Sequence, residues 1–288
     1  MVTYLDKQPA IIAVMGATGV GKSSFINSAS GHRLAVGHAL DSCTQEIQEV
    51  RMEWGKEKTP VLLVDTPGFG GSSMSDTEVL RLIAKYLVTS AGTKLAGVIY
   101  MHRISDSKVE GGTRRNFRMF QQLCGSEHLQ QVVVVTTWWD QVNKQVAEQR
   151  ERQLRESEAL FKPMLNGGAS LVRHEMLQDN GYSSAQSVLD HLFLPRVAIN
   201  VKLQTQLVVE KKPLPATDAG SIISDDLTRK AKQCVSRLVE VHEGLKRTKD
   251  LAIWLSLEAE RKDLQEEKKA FRKQIKALSK TLNERFVL

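Results

Sequence analysis

Near its start the chain carries an apolar run, Ile11-Ile12-Ala13-Val14-Met15, that breaks into Gly16-Ala17-Thr18-Gly19-Val20-Gly21-Lys22-Ser23-Ser24. Gly16, Gly21, Lys22 and Ser23 fill the pattern GxxxxGK[ST], with the strand it needs before it and a helix-favouring stretch, Ser24 to Ala29, after it. Glycines let successive backbone N–H groups converge on phosphate oxygens, and the helix N-terminus adds the positive end of its dipole. Residues 16–24 are therefore expected to cradle a nucleoside polyphosphate. Lys22 would neutralise the β- and γ-phosphates, and the Ser23 hydroxyl would hold Mg²⁺. A strand that empties into such a loop belongs in a sheet covered by helices.

The rest of the chain supplies that sheet. Alternating residues from Gln45 to Trp54 read as a strand, and the apolar run Val61 to Val64 as a buried one ending in Asp65-Thr66-Pro67-Gly68. Helical periodicity follows over Thr77–Val88, then a strand over Leu95–Met101, a helix from about 112 to 123 and a Val-rich strand from Gln131 to Thr136. Val142–Phe161 reads as one long polar helix, Ser170–Arg173 as a last strand and Ser184–Leu194 as a helix. Strands alternating with helices predict an α/β fold, a mostly parallel doubly wound sheet with helices on both faces. The domain is expected to span 8–203, with a linker at 204–225 around Pro213 and Pro215 and a helical tail at 226–288.

Charge bears on the partners. Of the net +7, +5 lies in residues 225–288, where sixteen Lys/Arg face eleven Asp/Glu, so the domain carries no basic face and no nucleic acid is expected. Cys43, Cys124 and Cys234 form no CxxC pair, residues 1–10 lack the apolar core of a signal peptide and no apolar stretch approaches 18 residues. These point to reduced thiols and a cytoplasmic protein. In the tail, Leu264, Phe271 and Leu278 are spaced as heptads, beside Ile275 and Leu282, but Arg261 and Lys268 enter the seam. Three uses stay open: packing on the domain, self-association as a coiled coil, and contact with a membrane surface.

A phosphate loop alone admits several chemistries, and the later elements choose among them. Asp65, where a buried strand opens into a loop, suits Mg²⁺ through water, and the Gly68 N–H suits the γ-phosphate. Thr44, with Ser42 as the alternative, is placed to offer Mg²⁺ a second hydroxyl. The segment Leu40–Gln45 is expected to order with triphosphate. After the Val132–Val135 strand comes Thr136-Thr137-Trp138-Trp139-Asp140. A carboxylate accepts two donors at once, which matches N1–H and the 2-amino group of guanine but not adenine, so Asp140 selects GTP and GDP, with Thr137 beside it. Trp138 stands where a lysine stem would cover the base, keeping the stacking surface and losing the ammonium. Phe69 follows Asp65-Thr-Pro-Gly where a water-orienting glutamine is usual, so assistance from Arg33 or Arg103 comes into question. The last contact to the base falls either on Arg173-His174-Glu175, with His174 stacking or hydrogen-bonding there, or on Ser183-Ser184-Ala185.

Taken together, the phosphate loop, Thr44, Asp65-Thr-Pro-Gly-Phe and Thr-Trp-Trp-Asp140 resemble the septin-related GTPases. Nearest are the immunity-associated GIMAP-type GTPases and fungal G domain-containing proteins, which His102-Arg-Ile-Ser-Asp106 and Phe120-x-x-Leu-Cys-Gly125 also resemble. The likeness covers roughly residues 8–200. It implies a Ras-like fold, GTP/GDP exchange with slow hydrolysis in which Lys22, Thr44 and Gly68 take part, and a GTP-dependent homodimer across the nucleotide face. Two functions follow: a hydrolysing switch that presents a surface to a protein effector, or a non-catalytic nucleotide-binding scaffold that acts through its C-terminal helix.

Overall fold

The computed structural model describes residues 9–36, 44–89, 94–107, 109, 111–176, 179–193, 198–280 and 282. Ser42, Cys43 and most of the segment Leu40–Gln45 lie outside the described residues.

Six strands form one sheet: β1 (Ala10–Gly16), β2 (Gln48–Trp54), β3 (Thr59–Asp65), β4 (Leu95–Arg103), β5 (Val132–Thr137) and β6 (Ser170–Arg173). Their order is β2-β3-β1-β4-β5-β6, parallel throughout except that β2 runs antiparallel to β3. Side chains alternate between the faces of a strand, so an apolar run must be covered on both. In β1, Ile12 and Val14 join one core cluster while Ile11, Ala13 and Met15 join the other. β2 alternates instead, with Gln48, Glu49 and Arg51 exposed and Val50 buried, as suits an edge strand.

Helices cover both faces. Phe25, Ile26 and Ala29 of α1 (Lys22–Ser30) pack on the Ile12 side together with Val188, Leu189 and Leu192 of α6 (Tyr182–Phe193). On the other side lie α2 (Asp76–Thr89), α3 (Gly111–Cys124) and α4 (Lys144–Glu156). This is the Ras-like arrangement. The long helix expected over Val142–Phe161 is broken: α4 stops at Glu156, and a turn leads into the short α5 (Lys162–Asn166). Proline is accepted in the first turn of a helix and not in its interior, so Pro163 begins a new element while the buried Leu160 and Phe161 anchor the turn.

The stretch read as a linker is structured. It holds most of α7 (Lys202–Val208) and the first turns of α8 (Asp218–Arg247), and Leu214, Ala219 and Ile223 are buried in the core. Pro213 and Pro215 frame a single 3₁₀ turn, and the Thr217 hydroxyl caps α8 by accepting from Gly220 N at 3.0 Å.

A three-residue turn joins α8 to α9 (Leu251–Leu278), and the two helices pair antiparallel, Arg237 with Glu260 and Cys234 with Glu267. The coiled-coil pattern of the tail is thus met within the chain, by α8 and by the domain. Phe271, Ile275 and Leu278 reach the domain core. Arg81 of α2, itself buried, donates from Nη1 to Ala277 O at 2.6 Å and Lys280 O at 2.7 Å, capping the carbonyl end of α9 with a positive charge. Arg115 of α3 bridges Asp76 and Asp226, tying α2 to α8.

Replacing Arg81 by Met removes the guanidinium from which Ala277 O and Lys280 O accept, at a cost of about 1–3 kcal/mol. Amide hydrogen exchange is expected to quicken over 271–280 while β1, β4 and β5 keep their protection. Equal protection in the variant would show that α9 is held by its apolar contacts alone.

Candidate nucleotide-binding site

The site lies at the carboxyl ends of the strands, where the sheet order reverses between β1 and β4, the usual crevice for ligands in an open parallel sheet. Gly16 closes β1 at φ 149°, and a Cβ there would stand 2.5 Å from Met101 O, so only glycine lets β1 turn this close to β4. The loop then reaches α1 through Gly21, which offers no side-chain cap, leaving the first N–H groups of the helix for an anion. Ala17 and Thr18 line the loop, Gly19 is exposed, Val20 is buried and Ser24 sits in the first turn of α1.

Lys22 is buried beneath this loop, its Nζ donating to Ala17 O at 2.9 Å and Gly16 O at 3.4 Å. Burial pulls its pKa down to about 8, against the attraction of Asp65. A desolvated ammonium so placed has one good counter-charge to gain, a phosphate. Asp65 is fully buried at the end of β3. Its Oδ2 accepts from Ser23 Oγ at 2.6 Å and Thr44 Oγ1 at 3.3 Å, and those two hydroxyls stand 3.3 Å apart. Its Oδ1 is buried with no hydrogen-bond partner. Desolvation raises the carboxyl's pKa, opposed by Ser23, Lys22 and Thr44. One carboxylate, two hydroxyls and an unsatisfied oxygen make a hard, oxygen-only set that fits Mg²⁺ once phosphate oxygens and water complete it. Ser23, Thr44 and Asp65 are distant in the sequence and meet here.

The loop after β3 is clamped to the phosphate loop. Thr18 N donates to Phe69 O at 2.9 Å, Phe69 N to Gly16 O at 3.2 Å and Thr18 Oγ1 to Gly68 O at 3.2 Å. The Phe69 ring is buried in the core under α2 and α3, so the position that usually orients water carries a side chain turned away from the site. Beyond it, Gly70 N donates to Asp76 Oδ1 at 2.6 Å, and Asp76 pairs with Arg115.

At the base end Thr137 Oγ1 donates to Val20 O at 2.8 Å and lies 3.3 Å from His102 O, joining β5, β4 and the phosphate loop. The two tryptophans divide. Trp138 adopts a left-handed conformation, φ 61°, with its indole exposed beside Gly21 and Arg103 5.8 Å from its ring. Trp139 turns inward, its Nε1 donating to Thr136 O at 3.2 Å, and Arg173 lies 4.2 Å from its ring. Asp140 stays exposed and accepts from Gln141 Nε2 at 2.8 Å.

His174 differs from the expectation of a base contact. Its ring is buried edge-on against Phe25 with Nδ1 3.2 Å from Ser184 Oγ, and desolvation pulls its pKa down to about 4. It packs instead of opening onto a base pocket. Ser184 joins the two loops that competed for this role, since its Oγ also accepts from Glu175 N at 3.0 Å. Arg103 is paired with Asp106 at 2.8 Å beside Trp138, and Arg33 is exposed after α1.

Two outcomes test this geometry. A Cβ on Gly68 would stand 2.6 Å from the backbone N and Cα of Thr18, so Gly68→Ala forces the clamp open. Guanine-nucleotide affinity, read by fluorescent-GDP titration, is expected to fall at least about tenfold with the far-ultraviolet dichroism unchanged. His174 has its folded pKa depressed from 6.5 to about 4, so the unfolded chain binds more protons between those values and stability falls as pH drops through that window. The loss approaches about 3 kcal/mol near pH 4. Denaturant titrations should show a shallower pH slope in His174→Gln.

The model of a protein family described as 50S ribosome-binding GTPase matches residues 11–161. GTP-binding protein A of Dictyostelium discoideum is 28% identical over 134 residues, 46% of this chain and 28% of that protein. The probable GTP-binding protein EngB of Wolinella succinogenes is 28% identical over 191 residues, 58% of this chain and 84% of that one. The chain thus spans under a third of the Dictyostelium relative's length. Among solved structures, Toc33 of Arabidopsis thaliana in complex with GDP and Mg²⁺ shares the fold with a TM-score of 0.53 at 18% identity, covering 68% of this chain and 89% of that one. With more than half its length matched by the family model, the chain belongs to the 50S ribosome-binding GTPase family of P-loop GTPases.

Proposed function

We propose that the protein binds guanine nucleotide with Mg²⁺ and converts GTP slowly to GDP and phosphate, acting as a nucleotide-dependent switch or assembly module. The observation that carries this reading is the meeting of Ser23, Thr44 and Asp65 above the buried Lys22, with one Asp65 oxygen unsatisfied. Mg²⁺ would be held by the Ser23 and Thr44 hydroxyls and, through water, by Asp65, and would supply positive charge to the phosphate oxygens. Lys22 and the loop N–H groups hold the phosphates in line, Gly68 N–H meets the γ-phosphate, and Asp140 reads the guanine edge under the Trp138 indole.

Slowness follows from Phe69. With its ring in the core, no side chain at that position orients the attacking water, so unassisted turnover should be no faster than about 10⁻⁴ to 10⁻³ s⁻¹. Dimerisation across the nucleotide face is the natural source of help. A solved structure of atToc33 and psToc159 is described as showing that dimerisation is important for their GTPase activity, and this chain shares the fold. The finer likeness to septin-related and immunity-associated GTPases rests on the motif residues, and the switch would present its surface to a protein effector. The scaffold reading, in which hydrolysis is incidental and the C-terminal helices act, draws on the buried Phe69 and the size of the α8–α9 hairpin.

Phosphate release separates the two. Purified protein is expected to turn over stoichiometric GTP in single-turnover assays, faster at higher protein concentration; GTP left intact over hours while binding persists would favour the scaffold. In competition, GTP is expected to displace a fluorescent GDP far better than ATP, and equal displacement would refute the role of Asp140.

A further inference from the structure

Two tryptophans follow β5, and only one of them packs. Trp139 is buried with its Nε1 donating to Thr136 O, and Thr137 is buried and tied by its hydroxyl to Val20 O. Between these anchored neighbours Trp138 is 39% exposed and held in the left-handed region, at φ 61° and ψ 39°. That conformation is strained for a bulky side chain and persists where the surrounding structure enforces it. The result is an indole turned out of the sheet. It lies against the phosphate loop, since a Cβ built on Gly21 would stand 3.8 Å from its Nε1.

Arg103, the last residue of β4, is brought to the same place. Ile104 is buried, its N–H donates to Thr137 O at 2.9 Å, and Arg150 of α4 donates from Nη1 to Ile104 O at 3.0 Å and Ser105 O at 2.8 Å. Asp106 then accepts from Arg103 Nε at 2.8 Å. With the following residues fixed and one edge of the guanidinium paired, Arg103 lies over the Trp138 ring, 5.8 Å from its centroid. A cation over an indole face is attracted by the ring's quadrupole, and indole is the best of the aromatic partners.

We propose that Arg103 is a positioning residue for the nucleotide base: it steadies the Trp138 indole as the wall on which the base stacks, and it sets the identity of position 138. The proposal rests on the guanine-nucleotide reading above. The lysine usual at 138 would bring an ammonium beside the Arg103 guanidinium, and two cations would then share the Asp106 carboxylate. An indole turns the same guanidinium into an attraction. Such a wall meets the π face of the base and not its edge, so it acts alike on any purine, and the choice among purines stays with Asp140.

Fluorescent-GDP titration of the full chain tests this as a double-mutant cycle. Trp138→Lys is expected to weaken binding at least about fivefold and Arg103→Met about threefold. The double variant is expected to bind more tightly than Trp138→Lys alone, because the repulsion goes with the guanidinium. Trp138→Phe keeps a ring beside Arg103 and should stay within about threefold of the unaltered chain. Both side chains reach solvent, so folding is kept, read as unchanged far-ultraviolet dichroism. Competition with inosine diphosphate, which lacks the 2-amino group, should give the same preference for GDP in Arg103→Met as in the unaltered chain. Additive losses, a Trp138→Lys chain that binds like the unaltered one, or a changed preference overturns the proposal and leaves guanine-nucleotide binding standing. An unaltered chain that binds no GDP overturns both.

Discussion

A buried carboxylate and a buried ammonium, Asp65 and Lys22, face each other at the ends of β3 and β1, and most of the domain is arranged to hold them there. Taking either charge out of water is costly, and their mutual attraction returns only part of that cost. Both groups show the strain, Lys22 pulled down to about 8 and Asp65 pushed up from its ordinary range by desolvation. The hydroxyls of Ser23 and Thr44 and the carbonyls of Gly16 and Ala17 satisfy part of the pair, and one Asp65 oxygen remains without a partner. Phosphate and a divalent cation complete this arrangement in the most economical way, since each brings the charge that one residue lacks. The covered parallel sheet is what makes it possible, because β1 and β3 can end in a dry, rigid edge only with helices on both faces.

From that edge a continuous set of polar contacts leads to the C-terminal helices. The clamp at Thr18, Gly68 and Phe69 fixes the loop after β3, Gly70 N holds Asp76, Asp76 holds Arg115, and Arg115 holds Asp226 of α8. Arg81, one turn further along α2, holds the end of α9. The hairpin therefore rests on the helix that follows the loop after β3, and its base belongs to the domain's core as much as α3 does.

Legibility from the sequence followed the range over which each signal acts. The phosphate loop, the strand–helix alternation and Asp65-Thr-Pro-Gly are local patterns whose backbone consequences need no tertiary partner, so the fold could be read from them, as could the positions that meet at the carboxyl end of β1 and β3. The linker could not. Pro213 and Pro215 signal a turn, but whether such a turn hangs in solvent or is pressed onto a core depends on Leu214 and Ile223 finding apolar partners on distant helices. His174 misled for the same reason, since a histidine after a strand looks alike whether it meets a base or, as here, the ring of Phe25. The break in the helix at 142–161 had a local signal in Pro163, outweighed by the long polar run before it.

The two departures from the usual motif pattern prove to be different in kind. At Trp138 the substituted side chain remains exposed at the mouth of the site, while Thr137 beside it donates to the Val20 carbonyl and joins β5 to the phosphate loop. At Phe69 the ring serves the core and the backbone serves the clamp, so this position offers the site no side chain. The proposed slow turnover rests on this difference, since Lys22, Ser23, Thr44 and Asp65 are brought together while the residue after Gly68 turns its side chain into the core.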